Sequence, residues 1–241
     1  MKHADNVLAA VAGYVDTLGF VALFGLFTAH ITGNFVLIGA ELTGGSGLGV
    51  VMKLLAFPAF VLSVALAGML LKTVRPASPA RAARLLYVLQ AVLLLGFCLA
   101  GVGVAPVERA DTVPVVLCGM LGAAAMGIQN AHARLVPRQG GVPNTVMTGN
   151  VTQAVLDALD LLSPGTTIDV RATARARLVK TLQAVSCFAA GAIGGAAAFR
   201  HVSFWALLVP CGLLVFLAVC SGEGAAARFA SGSGVSRSVG H

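Results

Sequence analysis

Asp16 is the residue least in keeping with its surroundings. It lies about ten residues into the apolar run 7–27. An ionised carboxylate at such a depth costs on the order of 3 kcal/mol on insertion scales. A carboxylate there faces a polar cavity, pairs with a cation or stays protonated, so it is suited to contact a solute or to carry a proton. A second polar group, Gln129 and Asn130, interrupts another apolar run, and Arg134 follows Asn130 by one helical turn on the same face. Arg134 is placed to neutralise Asp16, to attract an anion, or to snorkel towards headgroups.

These residues recur in an ordered pattern. Gly13-Tyr14-Val15-Asp16 matches Gly127-Ile128-Gln129-Asn130 at an offset of 114, and Thr32-Gly33-Asn34 returns as Thr148-Gly149-Asn150 at an offset of 116. Seven residues past each Asn stands a carboxylate, Glu41 in one half and Asp157 in the other. The candidate solute-binding set is therefore Asp16, Thr32, Gly33, Asn34, Gln129, Asn130, Thr148, Gly149 and Asn150, with Arg134 as a charge partner. Each Asn is suited to cap a short helix, and the preceding glycine permits a sharp turn. The segments 34–42 and 150–162 are too short to span a bilayer. They are expected to be re-entrant or interfacial half-helices, each entered through an extended strap.

The elements that position these residues follow from composition. Of 241 residues, 58% are hydrophobic and 10% are charged, against roughly a quarter charged in a soluble domain. This excludes a soluble enzyme, a disordered chain and a nucleic-acid module. Six apolar segments of spanning length are expected at about 7–28, 50–71, 84–105, 113–135, 178–199 and 202–221. Lys/Arg asymmetry orients them. Lys2, the groups 72–84 and 134–180, and Arg228 and Arg237 fall on one side, whereas Lys53, Arg109 and Arg200 fall on the other. Both termini are thus expected to be cytoplasmic, with Tyr87 and Trp205 at the membrane interfaces. Pro137, Gly140 and Gly141 punctuate the longest inter-span region.

The resulting expectation is an all-α polytopic membrane protein with one membrane domain over residues 1–221. Repeat one covers about 7–105 and repeat two about 113–221, followed by a flexible tail over 222–241. Three spans per half make the second copy enter from the opposite face, the arithmetic of inverted repeats. Gly191-x-x-x-Gly195 and Ala123-x-x-x-Gly127 allow close helix packing, within the chain first and as a homodimer seam second.

Gly-x-x-Asp-x-x-Gly-Phe through Thr-Gly-Asn, with Gly-x-Gln-Asn-Ala and a later Thr-Gly-Asn, resembles the YoaK-like family of small bacterial inner-membrane proteins. That family is classed under a domain of unknown function, and the resemblance spans roughly residues 7–221. It implies a six-span inner-membrane protein and brings no settled substrate.

Cys98, Cys118, Cys187, Cys211 and Cys220 contain no close pair and are expected to be packing residues. His30 and His132 show no metal-ligand spacing and are expected to pack, and no nucleophile elbow, P-loop or zincin helix occurs. No metal or cofactor is expected, and the chain reads as a non-enzyme. Its expected partners are a small-molecule solute and membrane lipids, the latter at the cluster Arg171, Arg175, Arg177 and Lys180, and not nucleic acid. The functional expectation is a secondary transporter, proton-coupled through Asp16, of a small polar or anionic solute. The alternatives are a channel, or a membrane-embedded lipid-binding enzyme or assembly factor.

Overall fold

The structure, a computed structural model, describes residues 4–45, 47–136 and 147–232. Lys2, Pro137, Arg138, Gly140, Gly141 and Arg237 lie outside these. The described residues form eight α-helices and no strand: α1 Ala4–Ala22, α2 Gly33–Leu42, α3 Val50–Val74, α4 Pro79–Val104, α5 Val113–Leu135, α6 Met147–Leu162, α7 Ile168–Val202 and α8 Leu208–Gly232. A 3-10 turn, Ser203–Leu207, joins the last two.

Helix ends follow local chemistry. Ser78 caps α4 by accepting from the Arg81 N–H at 3.3 Å, with proline at the helix start, where its missing N–H costs nothing. α1 stops at Ala22, not near residue 28. Phe24 and Gly25 turn left-handed (φ 49° and 78°), and the Gly25 N–H closes onto the Phe20 carbonyl at 3.0 Å. This is a Schellman-type cap, which favours glycine at the positive φ. The hydrophobic run continues through the break, so apolarity alone overextends the helix. Ser203, at φ 52°, similarly breaks the path between α7 and α8.

Four stretches are long and apolar enough to cross a membrane: Val50–Val74, Pro79–Val104, Val113–Leu135 and the 54-residue Ile168–Ser221, which holds α7 and part of α8. α1 packs against α7, α5 against α3, and α4 against both α5 and α8; α2 lies on α3 and α6 on α7. α1 and α5 bury most of their length. The outer helices turn apolar stripes outward, as with Val88, Val92, Leu95 and Leu99 on α4. That spacing is the lipid-facing side of a helix.

Close approach of the central helices depends on glycine. A Cβ on Gly13 would lie 2.1 Å from the Phe188 carbonyl oxygen, and one on Gly191 or Gly195 would lie 2.1 or 2.3 Å from the carbonyl oxygens of Ala10 or Tyr14. A Cβ on Gly127 would meet Ser63 Oγ at 2.0 Å. The small-residue motifs thus pack α1 on α7 and α5 on α3.

Other expectations are corrected. Tyr87 is fully buried, with its ring 4.7 Å from that of His132, and is not interfacial; Trp205 is half exposed. Residues 222–232, expected as tail, continue α8. Both Thr-Gly-Asn copies run into helix starts: α2 begins at Gly33 and α6 at Met147, so Thr148-Gly149-Asn150 is itself helical.

Candidate functional site

Between α1 and α2, residues 23–32 form a largely non-helical strap that runs through the protein interior. Irregular backbone at membrane depth survives only where its polar groups find partners within the protein. Asp16 supplies them. Its Oδ1 accepts from the N–H groups of Thr28 (2.7 Å), Ala29 (2.7 Å) and His30 (3.3 Å), and lies 3.4 Å from Thr28 Oγ1. Asp16 is 5% exposed. Three convergent donors satisfy the hydrogen-bonding capacity of this buried oxygen.

Asn34 ties the other side of the strap. Its Oδ1 accepts from the Phe27 N–H at 2.9 Å and its Nδ2 donates to the Phe27 carbonyl at 2.8 Å, so one side chain replaces a missing backbone partner. Asn34 is therefore not a helix cap; Thr32 holds that position without a side-chain cap bond. Asn150 is likewise a buried residue in the first turn of α6, its Nδ2 3.6 Å from Met147 Sδ.

Strap residues Ala29 to Thr32, together with Phe60, Asn130, Met147 and Thr148, line a cavity of about 260 Å³. The cavity unites the end of the strap, the middle of α3, the polar position on α5 and the start of α6. Of the sequence candidates, Thr32, Asn130 and Thr148 reach it. Asp16, Gly33, Asn34, Gly149 and Asn150 stand beside it without being among its lining residues. His30, Phe60 and Met147 line it and were not foreseen. For His30, its place two residues before the first Thr-Gly-Asn was the available signal.

Two candidates lie elsewhere. Gln129 is fully buried, donating to the Leu8 carbonyl and accepting from Gln90 Nε2, both at 2.7 Å. It bridges α1, α4 and α5. Arg134 is exposed and forms no ion pair with Asp16, whose Oδ1 is taken up by the strap amides.

α6 is amphipathic in the sense opposite to a soluble helix. Asn150 and Asp157 are buried, whereas Val151, Val155, Leu159 and Leu162 are exposed. Arg177 grips both Asp157 oxygens through Nε at 2.8 and 2.9 Å and adds an Nη2 contact to Oδ1, and Gln153 donates at 2.9 Å. The Arg177 guanidinium holds the Asp157 carboxyl below its ordinary range, although burial works the other way.

An all-helical fold with several lipid-length apolar helices defines a multi-pass membrane protein. Residues 6–220 match the family described as "Protein of unknown function (DUF1275)", and the chain belongs to that family. It is 31% identical over 157 residues to the UPF0700 transmembrane protein YoaK of Bacillus subtilis (strain 168), a match covering 63% of this chain and 64% of that protein. The aligned region is thus less than two thirds of the relative's length. No solved structure matches.

Proposed function

We propose that the protein is a secondary transporter of a small polar or anionic solute, built from two inverted three-span repeats and binding its solute in the cavity. The observation that carries this reading is that Thr32 and Thr148, the same position in the two Thr-Gly-Asn copies, line one cavity together with Asn130, the counterpart of Asp16. Helix packing supports the repeat. Exchanging α1–α4 for α5–α8 in order turns the α1–α7 pairing into α5–α3 and α2–α3 into α6–α7, and returns α4–α8 to itself. Gly13 and Gly127, 114 residues apart, sit at the two equivalent crossings.

The cavity offers hydroxyls, an amide and the His30 side chain. No carboxylate is among its described lining residues, and α2 begins at it. Helix starts favour negative charge. At about 260 Å³ it lies below the roughly 300 Å³ of the smallest drug-sized pockets, which favours a compact solute over an acyl chain. In this reading Asp16 carries the coupling proton, because loss of its charge weakens its hold on the strap. The protein lies in the bacterial inner membrane with both termini cytoplasmic.

Uptake into proteoliposomes, screened over small carboxylates, inorganic anions and neutral polar solutes with and without a pH gradient, tests the function. Gradient-driven accumulation that Thr148→Val abolishes supports it; no accumulation of any class refutes it. For the topology, reporter fusions after Arg75 and Gly222 should report cytoplasm and one near Arg109 periplasm. Arg75 and Arg109 on the same side would dissolve the repeat.

A further inference from the structure

We propose that Asp16 is a positioning residue, one that sets the cavity wall through the strap without touching solute. This rests on the cavity being the solute site. The strap is held in three ways: by slots for its side chains, by Asn34 and by Asp16. Its depth is set by slots: Thr28 is fully buried, and a Cβ on Gly19 or Gly122 would lie 2.8 or 3.1 Å from Thr28 Cγ2. Leu26 fits a third slot, where a Cβ on Gly119 would meet Leu26 Cδ2 at 2.8 Å.

The slots hold Leu26 and Thr28, and Asn34 holds Phe27, but none of them bonds the backbone beyond Phe27. Asp16 fixes the direction of that stretch, because three successive N–H groups converge on one oxygen, Oδ1. The next residues on from this anchor are the wall itself: Ala29 and His30 are both bonded to Asp16 and lining, and Thr32 is two residues further. Turning the strap would therefore swing the His30 and Thr32 side chains out of register with Asn130 and Thr148. Gln129, the neighbour of Asn130, is locked to Leu8 on α1, so the opposite wall is referred to the same helix that carries Asp16. The two walls share α1 as their common frame.

The test is hydrogen–deuterium exchange of the full chain in lipid nanodiscs, comparing the unmodified protein with Asp16→Asn and Asp16→Ala. The Thr28, Ala29 and His30 amides should exchange roughly fivefold to tenfold faster in Asp16→Asn, where a neutral oxygen still accepts, and faster again in Asp16→Ala. The α4 and α8 amides should be unchanged in Asp16→Asn. In the same variants, a cysteine introduced by Thr32→Cys should change its rate of labelling by a polar methanethiosulfonate. Strap exchange as in the unmodified protein overturns the proposal. So does an equal rise across every helix in Asp16→Asn, which would make Asp16 a support of the whole fold. Neither readout uses transport, so a loosened strap in a protein that moves no solute would sink the transporter reading and leave the positioning role standing.

Discussion

The Ala29 amide nitrogen lies 2.7 Å from Oδ1 of Asp16, thirteen residues earlier in the chain and on a different element. A side chain here does the work that a neighbouring turn does in a helix. This is why the chain can leave α1 at Ala22, cross the interior without regular hydrogen bonding, and begin α2 at Gly33.

Asn34 should prove the second fastening. Asn34→Ala strands the Phe27 N–H and carbonyl, and is expected to cost about 1–3 kcal/mol. Asn34→Asp keeps the acceptor but loses the donor and sets a carboxylate against the Phe27 carbonyl, so it should be no better than alanine. Thermal unfolding in detergent reads both; a substitution to alanine without effect would remove Asn34 from the strap's support.

The glycine crossings make a sharper stability prediction. Gly13→Ala and Gly191→Ala each place a methyl 2.1 Å from a backbone oxygen, and overpacking of this kind costs roughly 1–3 kcal/mol. Gly194→Ala, on the same helix but with its nearest neighbour at 3.9 Å, should be close to neutral. Equal effects at Gly191 and Gly194 in the same melting assay would mean that α1 and α7 do not pack as described.

Much of this was legible in the sequence, for identifiable reasons. The apolar runs of α3, α4 and α5 are bounded by Pro, Gly and charge, and the three expected spans there agree with the helices to within a few residues; the bounds of α1, α7 and α8 differ more. The end of α1 was not legible, because Leu23, Phe24 and Leu26 continue the hydrophobic pattern and only Gly25 marks the turn. The paired motifs converge in space, since Thr32, Asn130 and Thr148 line one cavity. Spacing alone does not say whether a polar side chain turns to a cavity or to backbone. Asp16 and Asn34 turned to the strap, and Gln129 to Leu8 and Gln90. Of the roles open to Arg134, pairing with Asp16 is not the one it takes, since backbone amides, invisible in a residue pattern, occupy that carboxylate.

The Asp157–Arg177 clamp predicts an acid-side effect on stability. Asp157 is buried on α6, outside the spanning stretches, and its folded-state pKa is depressed. Its contribution is therefore complete above the ordinary value of about 3.9 and is lost as pH falls through the lower folded-state value. Asp157→Asn should lower the melting temperature at neutral pH and flatten its decline below about pH 4. An unaltered acid slope would show that the pair contributes nothing to holding α6 on α7.

The two halves of the chain meet at one cavity through their matching threonines. The direct measurement is cross-linking of Thr32→Cys to Thr148→Cys in native membranes, in a background where the five natural cysteines are replaced. Because both residues line one cavity of about 260 Å³, a short bifunctional thiol reagent should join them rapidly and within a single chain, whereas the same reagent should not join Thr32→Cys to a cysteine at exposed Leu162 at the far end of α6. Failure of the Thr32–Thr148 pair to cross-link while each cysteine labels singly would place the two motifs apart and contradict the account.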